Sequence, residues 1–192
     1  MEEKCYITRK ILEQLVLSDC NLSISTKSKL ILRDIDILKR FKNLTVSVSI
    51  NTVDEEFRKD MDNASSIEER METLRILHEE GIHVILFMSP IFPYITDWKA
   101  IIEKTKNYVD EYWFENLNLR WQYKQVILDY IEKKYQKFYS EYEKIYLQKN
   151  RSYWEELSRE IDEYCHKEKL TFTNFFYHEE LVAKKKEINR QT

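Results

Sequence analysis

The chain has 192 residues, of which 43% are hydrophobic and 34% charged. This length and composition favour one globular domain with a buried core. The 31 lysines and arginines are offset by 34 aspartates and glutamates, and the resulting net charge of −3 argues against an electrostatic grip on nucleic acid. The single glycine, Gly81, excludes a glycine-rich phosphate loop. We find neither an apolar run long enough for a membrane span nor a signal peptide, and therefore expect a cytoplasmic protein.

Cysteines and histidines are few and scattered. Cys5, Cys20 and Cys165 are odd in number, and no pair of them has the spacing of a metal site. The histidines show no paired spacing either, and the segment 178–180 (His-Glu-Glu) is typical of a surface cluster. The sequence therefore predicts no metal site.

The first 120 residues alternate between helical and strand-like patterns. Leu44–Ile50 is β-branched and alternating, which is typical of a strand. Ser65 or Ser66 followed by acidic residues predicts a helix start, Gly81 its end, and Pro90 a loop. In chain order we predict a helix over 7–17, a strand over 22–25, a helix over 29–40, a strand over 44–50, a helix from Ser65 or Ser66 to Gly81, a strand over 83–88, a helix over 97–109 and a strand over 112–117.

The pattern changes after residue 120. Residues 121–169 predict two or three tyrosine-rich helices without an intervening strand, which we interpret as a cover packed on the core. A last strand over 170–176 and a solvated tail containing Lys184, Lys185 and Lys186 follow. We therefore divide the chain into a partial barrel, residues 1–120, and a helical extension with the final strand, residues 121–192, packed on the same domain.

Strands joined by helices of this length are parallel, with right-handed crossovers. The predicted fold class is α/β, and the strands form either an open doubly wound sheet or part of a TIM-like (β/α) barrel with a C-terminal helical cover. In both architectures ligands bind at the carboxyl ends of the strands.

Polar side chains cluster at those predicted strand ends. They are Lys27, Ser49, Asn51, Ser89, Glu115 and Asn118. The mixture suits a small zwitterion better than a phosphate, with Lys27 meeting a carboxylate and Ser49 or Asn51 meeting ribose hydroxyls. The alternative is that the serines and asparagines only cap helices and shape turns. Acid–base catalysis by Glu115 with Asp97 is disfavoured, because solvent-facing carboxylates are abundant in this chain.

Several short segments resemble one known family. Residues 23–27, 48–52, 65–70, and 89–91 with 97–98, occur in the order of the third to fifth strand regions of radical S-adenosylmethionine (radical SAM) proteins of the spore-photoproduct-lyase type, which they resemble. The resemblance spans residues 20–120. Residues 112–118 and 175–180 are similar to uncharacterised members of the same group.

The resemblance implies a partial (β/α) barrel in which a C-x-x-x-C-x-x-C loop holds a [4Fe–4S] cluster. S-adenosylmethionine coordinates the open iron, and the reduced cluster cleaves it to a 5′-deoxyadenosyl radical. By the same resemblance, Lys27 meets the carboxylate of S-adenosylmethionine, while Ser49 and Asn51 lie near its ribose and amino-acid moiety.

The chain departs from that family where the cluster is concerned. It carries no C-x-x-x-C-x-x-C motif, and the usual second-strand segment is missing. We therefore expect a truncated radical SAM protein that is inactive alone and holds no cluster. An upstream fragment would supply the cluster; alternatively, the chain is a non-catalytic remnant that binds a nucleoside or a protein.

If the preceding strands of the family are missing, the strand over 22–25 is an unpaired edge of the sheet. We expect a partner, a second copy or residues 1–6 to cover it. The substrate, nucleic acid included, is left open.

Overall fold

The computed structural model describes residues 2–176, apart from the side chains at 121 and 122. Five parallel strands form one sheet in the order β1 to β5, which is also their order along the chain. The strands are β1 (Leu22–Thr26), β2 (Leu44–Ser49), β3 (His83–Ile91), β4 (Glu111–Asn116) and β5 (Phe172–Asn174). Because the strand order never reverses, the sheet is that of a partial TIM-like barrel and not a doubly wound one. The predicted α/β class with parallel strands is confirmed.

Helices connect the strands and form the C-terminal part. They are α1 (Glu2–Cys5), α2 (Ile7–Leu15), α3 (Ile35–Leu38), α4 (Glu55–Met61), α5 (Ile67–Glu79), α6 (Trp98–Thr105), α7 (Trp121–Lys134), α8 (Tyr139–Tyr146) and α9 (Ser152–Lys167). Short 3₁₀ segments precede α3 and α8, over Lys29–Asp34 and Gln136–Phe138. Helix α5 begins as the sequence predicts, with a reciprocal capping box between Ser66 and Glu69.

Alternation along the strands separates the two faces of the sheet. Val46 and Val48 of β2 are fully buried and join the core formed with the helices. Ser47 lies between them in sequence and points to the other face, where its hydroxyl is 2.6 Å from that of Ser25 in β1. On this second face Phe87 of β3 packs edge-on against Trp113 of β4, with ring centroids 5.6 Å apart.

The tyrosines of the helical cover anchor the loops that follow the strands. Tyr142, which is fully buried, donates its hydroxyl to the carbonyl of Pro93 at 3.0 Å. Tyr146 donates to the carbonyl of Leu117, also at 3.0 Å. The Tyr153 hydroxyl accepts from the backbone N–H of Tyr94 at 3.2 Å. The cover therefore holds the loops after β3 and β4 in place as well as packing on the core.

Two predicted elements differ from the structure, and one helix was not predicted. The segment over 29–40 is a 3₁₀ turn followed by one short α-helix, with Ser28 capping the start. Strand β3 continues past Pro90 to Ile91, because the pairing with β4 shifts register between Met88 and Ile91 and relieves the proline of a ladder hydrogen bond. Helix α4 was not predicted at all.

Within residues 2–176 no helix is both long and apolar enough to cross a membrane. The predictions for Lys184, Lys185 and Lys186 and for the His-Glu-Glu segment at 178–180 lie outside the described residues.

Candidate functional site

A cleft of about 980 Å³ lies at the carboxyl ends of the strands, beneath the helical cover. Five of the six predicted site residues line it, which are Lys27, Asn51, Ser89, Glu115 and Asn118. They come from the ends of four neighbouring parallel strands. Residues far apart in sequence therefore meet at one edge of the sheet, as parallel pairing requires.

Ser49 is not among the residues that line the cleft. It ends β2, and its carbonyl oxygen accepts a hydrogen bond from Arg70 Nη1 at 3.2 Å. The chain turns after this anchored peptide and brings Asn51 into the lining. Ser49 thus supports the position of Asn51 through its backbone.

Lys27 forms an ion pair inside the cleft. Its Nζ lies 3.1 Å from Asp62 Oδ2, and the side chains are 41% and 19% exposed. Asp62 follows α4 and also accepts hydrogen bonds from Arg70 Nη2 and from the backbone N–H of Ala64. Burial opposes ionisation of Asp62, but the bonds from Ala64, Arg70 and Lys27 outweigh it and lower its pKa below the usual value. The cleft therefore contains a fixed carboxylate beside a fixed ammonium group.

Three of the remaining predicted residues, Asn51, Ser89 and Glu115, are tied to neighbouring strands. Asn51 Nδ2 donates to the carbonyl of Pro90 at 3.0 Å. The Ser89 hydroxyl and the Glu115 carboxylate are hydrogen-bonded across β3 and β4. The floor of the cleft is thus a preformed polar surface, since its side chains are oriented before any ligand arrives.

Sequence reasoning missed Asp62 and the helix before it. Asp54 caps α4 by accepting from the backbone N–H groups of Glu56 and Phe57, at 2.8 and 3.2 Å. An aspartate followed by two glutamates is a helix-start signal that was available in the sequence. The pairing of Asp62 with Lys27 had no such signal, because the two residues are 35 positions apart.

Asp97 is not part of the cleft lining. Its carboxylate caps α6, where Oδ1 accepts from the backbone N–H of Ala100 at 3.0 Å. A catalytic pair with Glu115, already disfavoured by the sequence, has no geometric basis here.

The cysteines do not fit a [4Fe–4S] cluster. Cys5 is exposed in α1, Cys20 lies before β1, and Cys165 is buried in α9. Burial raises the pKa of the Cys165 thiol to about 12, which disfavours the thiolate that iron requires. In the part of the chain that the structure describes, no group of three histidine, cysteine or carboxylate side chains is arranged to hold a metal ion.

The sequence pattern of the Radical SAM superfamily matches residues 2–104. Among curated proteins, an uncharacterized protein of Methanocaldococcus jannaschii is 40% identical over 121 residues, which is 62% of this chain and 46% of that protein. An uncharacterized protein of Acidianus two-tailed virus is 35% identical over 88 residues, 45% of this chain and 29% of that protein. The matches therefore span less than half the length of either relative.

Two solved structures share the fold. The crystal structure of Streptococcus suis SuiB bound to S-adenosylmethionine superposes with a TM-score of 0.59 at 14% identity, covering 89% of this chain and 36% of SuiB. A second SuiB crystal structure gives a TM-score of 0.58 at 13% identity with the same coverage. At this identity the similarity concerns the fold alone.

Proposed function

The chain belongs to the radical SAM superfamily, and on that premise we propose that its cleft is the half of a radical SAM site that binds S-adenosylmethionine. The observation that carries the proposal is the position of Lys27 in a cleft at the strand ends, together with Asn51, Ser89, Glu115 and Asn118. Ammonium, amide, hydroxyl and carboxylate groups match a ligand that has a carboxylate, an ammonium group and ribose hydroxyls.

Each of the six residues predicted from the sequence has a proposed role toward this ligand. Lys27 meets the carboxylate, and Asn51 meets the ribose, while Ser49 supports the position of Asn51 through its anchored backbone. Ser89, Glu115 and Asn118 bind the remaining polar groups. When bound at a complete site of this superfamily, S-adenosylmethionine supplies the 5′-deoxyadenosyl radical.

We further propose that the cluster ligands come from another segment, either of the same polypeptide or of a partner fragment. The dispersed positions of Cys5, Cys20 and Cys165 support this division. The same dispersion supports the second candidate, a non-catalytic remnant that binds a nucleoside or a protein. A neighbouring open reading frame that encodes a C-x-x-x-C-x-x-C motif would favour the first candidate. The narrower resemblance to spore photoproduct lyase rests on the sequence segments described above. Neither that resemblance nor the cleft identifies the substrate.

Replacing Lys27 with alanine will weaken S-adenosylmethionine binding about tenfold, the usual effect of losing one charge-assisted hydrogen bond. Isothermal titration calorimetry under anaerobic conditions measures this. Lys29→Ala is the matched control, because Lys29 lies two residues away but pairs with Glu69, and neither residue lines the cleft. Equal affinities of wild type and Lys27→Ala would remove Lys27 from the site.

The edge of the sheet at β1 supports a proposed partner contact. Among the described strands, β1 pairs only with β2, and its sequence contains no charge or proline that would protect an edge. Arg9 of α2 bonds to Asp34 and Asp36, which lie in the connection after β1, and Ile11 of the same helix is 52% exposed. A sheet edge without charge or proline suits an added strand.

We therefore expect the chain to associate, with a second copy or with a cluster-bearing fragment, through residues 22–25. If a second copy binds, light scattering of the chain alone will give a mass above that of the monomer. If the cluster-bearing fragment binds, the mass will rise once that fragment is added. The amides of 22–25 will exchange slowly in hydrogen-exchange experiments, because an added strand protects them. A strictly monomeric chain whose residues 22–25 exchange fast, with and without the fragment, would contradict this proposal.

A further inference from the structure

Charge is segregated between the two sides of the cleft. The side formed by the strand ends and α4 carries one lysine and three carboxylates, which are Lys27, Asp60, Asp62 and Glu115. The side formed by the helical cover carries four cations, which are Arg120, Lys124, Lys149 and Arg151. Among the described residues that line the cleft, no carboxylate lies on the cover side. The net charge of the whole chain, −3, does not reveal this local positive excess.

The carboxylates of the cleft are occupied by other partners and do not neutralise the excess. Asp62 forms ion pairs with Lys27 and Arg70. Asp60 lies 3.7 Å from Lys134 and accepts a hydrogen bond from a tyrosine hydroxyl of α7. The carboxylate at the end of β4 is hydrogen-bonded to the serine of β3 beside it. The positive charge of the cover therefore faces the cleft without a matching negative charge from its opposite side.

Two lysines of the cover have no counterion in the part of the chain that the structure describes. The side chains of Lys124 and Lys149 form neither an ion pair nor a hydrogen bond with another described residue, although Lys124 is only partly exposed. Lys149 has a left-handed backbone conformation, with a φ of 57°, which residues other than glycine seldom adopt. The turn between α8 and α9 thus carries an unpaired ammonium group at a position where the backbone favours glycine.

We propose that the cover side of the cleft binds a small organic oxyanion, a phosphate or carboxylate joined to an apolar body, as the substrate of the proposed site. This inference rests on the proposed function and names the class of its substrate. The cavity of about 980 Å³ has the size of small-molecule sites. Ile127, Ile145 and Trp154 give the cover side an apolar wall beside its cations. S-adenosylmethionine carries a sulfonium cation, so the cover side requires a second ligand of opposite charge.

Four small probes of different charge test the proposal on the full chain. Phenyl phosphate, phenylacetate, 2-phenylethanol and 2-phenylethylamine each have one ring, and are titrated while the amide signals are followed by NMR. We expect the two anions to shift the signals around Lys124 and Lys149 and to bind about tenfold more tightly than the alcohol or the amine. Added salt should weaken the anions alone. Binding of the alcohol or the amine as tight as that of both anions would overturn the proposal. The order of the two anions identifies the oxyanion.

A double variant, Lys124→Gln with Lys149→Gly, removes both unpaired charges and preserves the local structure. Glutamine supports a helix about as well as lysine does, and glycine suits the left-handed turn. We expect affinity for the anions to fall about tenfold, with most of the loss from partly buried Lys124, and affinity for 2-phenylethanol to stay unchanged. Unchanged affinity for the anions would overturn the proposal. If the variant does not fold, the probe series on wild type decides alone.

Lys133→Gln with Lys169→Gly is the matched control. Lys133 lies on α7 as Lys124 does, and Lys169 follows α9 with a φ of 58°, but neither residue lines the cleft. The control makes the same two substitutions and removes the same total charge. Its affinity for the anions should stay within about twofold of wild type, because distant exposed charges have weak effects. Equal losses in the two double variants would mean that net charge alone attracts the anions, which overturns the proposal.

Titration with S-adenosylmethionine separates this inference from the proposed function. The variant at positions 124 and 149 should bind S-adenosylmethionine within about twofold of wild type, because Lys27 is intact. If wild type binds S-adenosylmethionine but neither anion, the inference is wrong and the proposed function stands. If it binds the anions but not S-adenosylmethionine, the proposed function fails, and the assignment of the anion as its substrate fails with it.

Discussion

Replacing Arg70 with methionine will lower the free energy of unfolding by about 3 kcal/mol, the lower part of the range for breaking a buried ion pair. Arg70 is 2% exposed, and its loss leaves the carbonyl oxygens of Ser65 and Ser49 without their guanidinium donors. In the variant, the Asp62 carboxylate would keep its ion pair with Lys27 and some contact with water. The expected loss of unfolding free energy therefore lies at the lower end of that range. Urea denaturation followed by circular dichroism measures the change.

Arg75→Met is the control for Arg70→Met. Arg75 lies on the same helix and forms two ion pairs, with Glu72 and Glu79, but its side chain is 42% exposed. Its replacement should cost about 0–1 kcal/mol, the usual value for surface ion pairs. Equal costs for the two variants would show that burial of Arg70 contributes nothing.

The deficit of Arg70→Met should also shrink on acidification. Folding lowers the pKa of Asp62 below its usual 3.8, so the ionised carboxylate stabilises the fold above that pH. This contribution is lost as the pH falls through the lowered pKa, because a protonated, neutral Asp62 no longer forms an ion pair with Arg70. Denaturation curves at neutral and acidic pH measure the difference between wild type and variant.

Replacing Phe57 with alanine will lower the free energy of unfolding by about 3–5 kcal/mol, as is typical of phenylalanine-to-alanine changes in a core. Phe57 lies on α4, is 1% exposed, and packs edge-on against Phe92 with centroids 4.9 Å apart. Its ring also contacts Tyr130 and Tyr135 of the helical cover. The cavity left by alanine would loosen α4 and with it Asp62, so ligand binding should weaken as well.

Two further variants define the Phe57 effect. Phe57→Leu keeps most of the volume and should cost less than about 1.5 kcal/mol. Val126→Ala on α7, where the side chain is 63% exposed, should change stability by less than about 0.5 kcal/mol. Urea denaturation of the three variants ranks their losses of unfolding free energy. A small and equal change for alanine and leucine at position 57 would mean that α4 is not packed on the cover.

The strands and their parallel order were predictable because they follow from local pattern and loop length. Leu44–Ser49 is β-branched and alternating, and each of the first three strand connections contains a helical segment. Since parallel strands bring their carboxyl ends to one edge, Lys27, Asn51 and Glu115 were predicted to share a cleft, and all three line it. Elements with weaker local signals were missed or misjudged, as α4 and the 3₁₀ segment at Lys29–Asp34 show.

The sequence by itself therefore determined the fold class and the edge of the sheet where polar side chains converge, because both depend on periodicity and connection length. Only the tertiary structure decided which side chains pair within that cleft. Asp62 pairs with Lys27 although 35 residues separate them in the chain. The buried guanidinium of Arg70 donates to the other oxygen of the Asp62 carboxylate and so keeps that carboxylate in position. Ser49 was assigned to the cleft from its place at a strand end, yet Arg70 anchors its carbonyl and Asn51 takes the lining position. Such contacts depend on the packing of segments distant in the chain, which local pattern does not encode.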